Sequence, residues 1–173
     1  MQLIKEITNQ DIRVMDEKPV KPYNKRLAAR AVLIDGNNNV AIIEAKNINI
    51  HKILGGGIEE GEDIELALER EIMEESGCRG EVFDEVGAIV EHRTNANLKQ
   101  TNYCYLARLI GEKGNPAFTD KEIEEGFELV WVDFDEAIRR FSTDSPERYA
   151  AKFQGFRDKI FLEEAKKILE EDE

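Results

Sequence analysis

The sequence is poor in cysteine and in long apolar runs, and each shortage excludes a class of protein. Only Cys78 and Cys104 are present, too few for a disulfide scaffold and not spaced as a metal-binding pair. The longest aliphatic runs, such as residues 31–34, fall far short of the ~20 residues that a membrane-spanning helix needs. The first residues include an acid at position 6 with no apolar stretch behind it, which argues against a secretory signal. We therefore expect a cytoplasmic protein with reduced cysteines and no membrane partner.

Basic residues are also scarce relative to acids. Lys and Arg total 24 and Asp and Glu total 37, so the formal net charge at pH 7 is −13. A charge of this sign repels phosphate backbones and anionic lipid, and we expect no nucleic acid as a partner. Hydrophobic residues make up 41% of the chain and lie in short runs, which predicts a folded α/β domain and excludes general disorder.

The chain is predicted to contain a short extension and one larger domain. Residues 1–25 are expected to form a strand or hairpin followed by a linker with Pro19 and Pro22. Residues 26–173 are expected to form the main domain. Its strands are predicted at 27–34, 40–45, 51–54, 81–92, 100–110 and 127–132, the first two paired as a hairpin. Its helices are predicted at 62–76, 133–141 and about 145–170, the last beginning at Ser145-Pro146.

The helix predicted at 62–76 combines apolar and acidic residues on one face. At ~100° of rotation per residue, its apolar residues Ile64, Ala67 and Leu68 share that face with three acids: Glu71, Glu74 and Glu75. Like charges at these spacings repel, and a buried carboxylate is costly unless a positive charge compensates. A hard divalent cation such as Mg²⁺ would supply that charge. An acidic face exposed to solvent is the alternative interpretation.

The spacing of residues around this helix resembles that of a known family. The pattern G-x₅-E-x₇-R-E-U-x-E-E-x-G-U, with U an apolar residue, is the Nudix box of the MutT-like Nudix hydrolases. The sequence matches every position of it: Gly56, Glu62, Arg70, Glu71, Ile72, Glu74, Glu75, Gly77 and Cys78. Leu54 departs from the family, since many members have proline there. The resemblance implies an α/β/α sandwich with a mixed β-sheet, here followed by a C-terminal helix.

The resemblance also implies an activity and a set of site residues. Members hydrolyse a nucleoside diphosphate linked to another moiety, with Mg²⁺ or Mn²⁺ as cofactor. By position, Glu71 and Glu75 match the principal metal ligands, Glu74 a supporting ligand or acid, and the carbonyl of Gly55 a backbone ligand. Arg70 matches a residue that fixes the loop to the helix through a salt bridge with Glu62.

The family usually supplies one more glutamate, from a distant loop ahead of a strand that often carries tryptophan. That strand contains Trp131 here, so Glu125 is the first choice for a further catalytic and metal-binding acid. Three other acids compete with it: Glu122, Glu124 and Glu128.

The substrate is less well defined by the sequence. Some branches of the family carry proline or tyrosine about 15–17 residues beyond the box, and residues 91–95 contain neither. This favours a nucleoside triphosphate or a general substrate, including an oxidised purine nucleotide, and leaves nucleotide sugars open. Arg93 and Lys99 are predicted substrate contacts because the polar loop between them could overhang the site. A nucleotide-sensing domain without hydrolysis is the alternative function, and the apolar stripe of the last helix predicts packing on the sheet or on a second copy in a homodimer.

Overall fold

Apolar side chains occupy both faces of the central strands, as expected of a sheet covered on both sides. The computed structural model describes residues 1–17 and 22–171. Its strands are β1 (Leu3–Ile7), β2 (Asn24–Ile34), β3 (Val40–Ala45), β4 (Ile50–Gly57), β5 (Arg79–Arg93), β6 (Leu98–Ile110) and β7 (Phe127–Val132). Its helices are α1 (Ile64–Ser76), α2 (Asp120–Glu124), α3 (Phe134–Thr143) and α4 (Tyr149–Glu171). Pro19 lies outside the described residues, as do the last two residues of the chain.

The strands form one mixed sheet in the order β1-β5-β6-β2-β4-β3-β7. The pairs β1–β5 and β2–β6 are parallel and the others are antiparallel. The predicted hairpin turn between β2 and β3 is present, and the two strands pair antiparallel beside it where Ile34 faces Val40. Beyond that pair β4 lies between them, and its glycine-rich end pairs with residues 28–31 of β2.

Two hydrophobic cores lie on opposite faces of the sheet. On one face, α1 packs Ala67, Leu68 and Ile72 against small and aliphatic residues of β2, β3 and β4. On the other face, α3 and α4 cover the same strands, and the apolar stripe of α4, including Phe153 and Phe161, packs on the sheet. The α/β/α sandwich with a C-terminal helix is therefore confirmed.

The last helix begins later than its sequence predicts. Helix α4 begins at Tyr149, so Ser145-Pro146 is not its N-cap. The chain ahead of it is fixed by Asp144, whose carboxylate accepts hydrogen bonds of 2.7 Å from the backbone N–H and from Nδ1 of His51. This tertiary contact holds Asp144 in an extended conformation and outweighs the local capping signal.

The turn between β2 and β3 provides the first prediction, a pH-dependent stability. Burial opposes the charge of Asp35, but bonds from Lys113 and from the N–H groups of Asn39 and Asn37 outweigh it and lower the pKa of Asp35 to about 2. A lowered pKa stabilises the fold above the ordinary value of 3.8, and this contribution disappears as the pH falls toward 2. We expect Asp35→Asn to lower the free energy of unfolding by about 2 kcal/mol at pH 7.

Urea denaturation of wild type and Asp35→Asn at pH 7, 4 and 3 measures this effect. The difference between the two proteins should shrink between pH 4 and pH 3. Asp84→Asn is the matched control, because the Asp84 side chain is exposed and bonds only the adjacent N–H of Glu85. A difference for Asp35→Asn that does not change with pH would show that the charge contributes nothing.

Candidate active site

Three glycines at the end of β4 bring other groups close to the backbone. Gly55 has a φ of +128°, and a Cβ there would lie 2.2 Å from the carbonyl oxygen of Ala29. A Cβ on Gly56 would lie 2.2 Å from Oε1 of Glu71, and one on Gly57 would lie 2.6 Å from a nitrogen of the Arg26 guanidinium. The absence of side chains therefore lets β2, a carboxylate and an arginine approach this turn from different sides.

Helix α1 ends at Ser76 as predicted and begins at Ile64, two residues after its predicted start. The Asp63 side chain accepts a 2.9 Å hydrogen bond from the N–H of Leu66, which caps the start of the helix. Gly77 ends the helix in the left-handed conformation with a φ of +65°. These two caps fix the register in which Glu71 and Glu75 face the glycine turn.

Glu75 is the most buried acid of α1, with 6% of its surface exposed. Its carboxylate accepts a 2.7 Å hydrogen bond from the N–H of Gly55 and forms an ion pair with Lys52 of β4. Burial raises the pKa of Glu75, the pairing with Lys52 lowers it only in part, and the nearby charge of Glu71 raises it further. Burial therefore costs this carboxylate more than its pairing with Lys52 returns, and a bound cation would offset the remaining cost.

Arg70 fastens the glycine loop to α1. Its guanidinium donates a bidentate pair of hydrogen bonds of 2.8 and 2.9 Å to Glu62, one of 2.7 Å to Glu71 and one of 3.1 Å to the carbonyl of Gly57. The bond from Arg70, together with one from the N–H of Glu59, lowers the pKa of Glu62 to about 2. The predicted Arg70–Glu62 salt bridge is confirmed.

The carbonyl of Gly55 is held from the opposite face of the sheet. It accepts a hydrogen bond from Arg30 of β2, and Arg30 in turn donates to Oδ1 of Asn102 at 3.3 Å. Sequence reasoning missed Arg30, Lys52 and the nearby Arg26. A single arginine inside the otherwise apolar residues 28–34 was the signal that could have drawn attention to Arg30.

The remaining acids predicted for the site lie farther out. The side chain of Glu74 is 55% exposed and its ion pair is with Arg70 at 3.5 Å. Glu125 lies at the end of α2, where it pairs with Arg148 at 2.5 Å. Among the described residues, none of the four loop acids bonds to Glu71 or Glu75. Three of their side chains have other partners: Glu125 pairs with Arg148, Glu122 takes part in the cap of α2, and Glu128 pairs with Lys46.

The two predicted substrate contacts differ in their surroundings. Arg93 ends β5 and is buried on the α4 side of the sheet, where it pairs with Glu91 at 2.5 Å and lies over the ring of Phe153. Lys99 is half-buried on β6 and faces Lys25 in the register of the parallel β2–β6 pair. The loop between Arg93 and Lys99 is a short turn, residues 94–97, and Lys99 lies nearer to solvent than Arg93.

The donor set at the glycine turn fits a divalent cation. Within residues 1–17 and 22–171, no three side chains of His, Cys, Asp or Glu are grouped closely enough to hold a metal by themselves. The carboxylates of Glu71 and Glu75 nevertheless both face the glycine turn, Glu71 against Gly56 and Glu75 on the N–H of Gly55, and carboxylate oxygens are donors that Mg²⁺ and Mn²⁺ prefer. The Gly55 carbonyl, the third predicted ligand, is instead bonded to Arg30 on the other face of the sheet.

Two further features bear on the expectations drawn from composition: the state of the cysteines and the character of the helices. Cys78 and Cys104 are both buried and free, and burial raises the pKa of Cys104 well above its ordinary value. In the described part of the chain, no helix combines the length and the apolar character that a membrane crossing requires.

Comparison with known proteins identifies the family. The fold resembles the MutT protein from Methanosarcina mazei Go1, with a TM-score of 0.57 and 16% identity over 88% of this chain and 98% of that one. It also resembles a MutT NUDIX hydrolase from Burkholderia pseudomallei, with a TM-score of 0.56 and 20% identity over 82% of this chain and 98% of that one. No curated protein sequence matches the chain. The NUDIX domain family matches residues 24–153, most of the chain, and the protein therefore belongs to the Nudix family.

Proposed function

We propose that this protein is a hydrolase dependent on Mg²⁺ or Mn²⁺ that cleaves a nucleoside diphosphate linked to another moiety. The observation that carries the proposal is the burial of Glu75 beside Gly55 with Glu71 next to it. A purely structural helix would gain nothing from placing two carboxylates against a glycine turn at this electrostatic cost. Family membership supports the same reaction class.

Each group at the turn has a proposed role. Glu71, Glu75 and the Gly55 carbonyl would hold the cation, which when bound neutralises phosphate oxygens and lowers the pKa of a coordinated water. Arg70 keeps Glu71 in place, and the exposed Glu74 is available as a supporting ligand or proton acceptor for the attacking water. Glu125 remains our proposal for the further acid; its present partner Arg148 would have to release it.

The substrate is proposed to approach over Gly57 and the start of β2. Arg26 lies beside Gly57, and Lys25 faces Lys99 on the adjacent strand, so cations are concentrated here in an otherwise acidic protein. Lys99 is suited to contact phosphate directly. Arg93 is buried and bound to Glu91, so a contact from Arg93 to the substrate would require that pair to separate.

The substrate class is best settled by a panel of nucleotides. We propose a nucleoside triphosphate, with oxidised purine nucleotides included, because residues 91–95 lack the proline or tyrosine of other branches. Purified protein with Mg²⁺ is incubated with triphosphates, nucleotide sugars and dinucleoside polyphosphates, and products are identified by mass. Release of a nucleoside monophosphate and pyrophosphate from triphosphates is expected. Turnover of none of these compounds with either Mg²⁺ or Mn²⁺ would contradict the proposal.

One observation favours a second candidate, a nucleotide-binding domain that does not hydrolyse. The proposed ligand atoms already have protein cations as partners, Lys52 on Glu75 and Arg30 on Gly55. Such pairs would let the domain bind a nucleotide without a metal. Calorimetric binding of a panel nucleotide in the presence of a chelator, without turnover when Mg²⁺ is restored, would select this candidate.

The pair between Lys52 and Glu75 predicts a competition with the metal. Because the Lys52 ammonium occupies a carboxylate oxygen that the cation needs, we expect Lys52→Met to tighten Mn²⁺ binding about tenfold, which corresponds to about 1.4 kcal/mol. Isothermal titration of each protein with MnCl₂ measures the change. Lys46→Met is the matched control, since Lys46 is exposed and pairs with Glu128 instead. Equal or weaker Mn²⁺ binding by Lys52→Met would show that Lys52 does not compete.

A further inference from the structure

A groove lies along the outer side of α1, between that helix and the strands β5 and β6. Its volume is about 1030 Å³. Its floor contains six apolar or aromatic residues: Ile58, Leu68, Ile72, Val82, Tyr105 and Ile110. Val82 and Ile110 are 45% and 50% exposed, although Leu68 and Ile72 beneath them are buried. A concave surface with exposed apolar side chains at its edge is the kind of feature that can dock a partner, and we call it the α1–β5 groove.

The rim of the α1–β5 groove is acidic. Six carboxylates line it: Glu62, Asp63, Glu65, Glu69, Glu81 and Glu85. Of the described residues that line the groove, none is Lys, Arg or His. Burial raises the pKa of Tyr105, and the charges of Glu85 and Glu65 raise it further, so the negative field reaches the floor as well as the rim.

This charge pattern excludes two occupants. A nucleotide would bring phosphate charges against these carboxylates; Glu62 is paired with Arg70 and Glu85 with the N-terminal ammonium, but the other four have no basic partner among the described residues, so the groove is not assigned to the substrate. A second copy of the chain would bring its own net charge of −13 to the same acidic rim. The occupant must therefore carry positive charge around an apolar face.

The shape of the groove favours a helix over an added strand. Residues 79–86 of β5 have no strand on their outer side in the described structure, because β1 pairs only with residues 88–91. That edge is interrupted by two irregularities in its pairing with β6 and carries several charges, features that discourage strand addition. The groove instead runs beside residues 64–72 of α1, which span about 13 Å, enough for two to three turns of a partner helix.

We infer that the α1–β5 groove docks an amphipathic helix of another protein, with its apolar face on the groove floor and Lys and Arg on its flanks. Apolar anchors at positions i, i+3 or i+4, and i+7 of such a helix would contact Val82, Tyr105 and Ile110. Its basic flanks would meet the carboxylates on both sides, which increases the association rate and selects for cationic partners.

A synthetic peptide tests the inference on the full chain. The probe is a fluorescein-labelled helix of leucine and lysine of about 14 residues, and its control has the same composition with the apolar stripe scrambled. Fluorescence anisotropy is measured for wild type, for the groove variant Glu65→Lys/Glu69→Lys, and for Val82→Asp. The matched control is Glu163→Lys/Glu170→Lys on α4, which changes the net charge by the same amount at exposed positions away from the groove.

We expect the helical probe to bind wild type at least about tenfold more tightly than it binds either groove variant. The scrambled peptide should bind wild type at least about tenfold more weakly than the helical probe does. The α4 control should bind the helical probe nearly as wild type does. Equal weakening by both double variants would mean attraction to net charge alone and would overturn the inference. If wild type sediments as a dimer and Val82→Asp sediments as a monomer, the groove belongs to a second copy of the chain. That result would also overturn the inference. Both readouts are independent of hydrolysis and of the proposed function.

Discussion

Glu75→Gln is expected to reduce metal-dependent turnover at least about a hundredfold, with the fold intact. Loss of a group that only orients a metal ligand lowers metal affinity or activity about 10- to 100-fold, and loss of a direct ligand should lower it more. Burial already raises the pKa of Glu75, so its charge opposes folding at this position. A neutral amide removes that cost and can still accept the 2.7 Å hydrogen bond from the N–H of Gly55.

Two measurements on Glu75→Gln separate the metal role from a structural one. Turnover is measured on a substrate found in the nucleotide panel, and the melting temperature is measured without metal. Glu69→Gln, an exposed position on the same helix, is the matched control and should match wild type in both. Wild-type turnover by Glu75→Gln would remove Glu75 from the metal site, and a loss of folding would make its role structural.

Asp158→Ala is expected to lower the free energy of unfolding by about 3–5 kcal/mol. Asp158 of α4 is fully buried, and its carboxylate accepts hydrogen bonds from Nε of Arg157 at 2.6 Å and from the N–H of Ile53 at 3.1 Å. It belongs to a buried group of three arginines, Arg30, Arg93 and Arg157, in which Asp158 and Glu91 are the carboxylates that pair directly with arginine and Glu75 acts on Arg30 as well. Without Asp158, the three buried positive charges would lose one of these compensating carboxylates.

Urea denaturation at pH 7 measures this loss. Asp135→Ala is the control, since Asp135 is 81% exposed and its surface pair with Lys166 should contribute less than about 1 kcal/mol. Asp158→Asn should recover part of the loss, because an amide oxygen can still accept from Ile53. Equal effects of the two alanine variants would show that the buried arginine cluster does not depend on Asp158.

The order of the elements was predictable because local signals and tertiary structure agree over most of the chain. Gly77 ends α1 in the left-handed conformation that its position predicts, and residues 127–132 form the expected strand. The turn between β2 and β3 was predictable, but the entry of β4 between the two strands was not, because a turn sequence indicates only where a chain reverses. The predicted start of α4 was wrong because Asp144 bonds to His51, which is distant in the sequence, and this contact overrides the capping signal of Ser145-Pro146.

The site was predictable only where its residues lie close together in the sequence. The helical spacing placed Glu71 and Glu75 toward the glycine turn, and the structure agrees, while Glu74 lies at the exposed edge of that face. Lys52 and Arg30 were missed because strand registry alone brings β2 and β4 together, and no local pattern encodes it. The choice of Glu125 stays a prediction, because the position of a loop acid depends on packing that a single sequence does not reveal.

The most direct test of the proposed metal site is a crystal structure of the protein soaked in MnCl₂, with the metal located by anomalous scattering. We predict a manganese peak within bonding distance of the Gly55 carbonyl and of one carboxylate oxygen from each of Glu71 and Glu75, with Lys52 displaced from Glu75. Manganese bound elsewhere, or Glu75 still paired with Lys52 at saturating MnCl₂, would contradict the assignment of this turn as the catalytic centre.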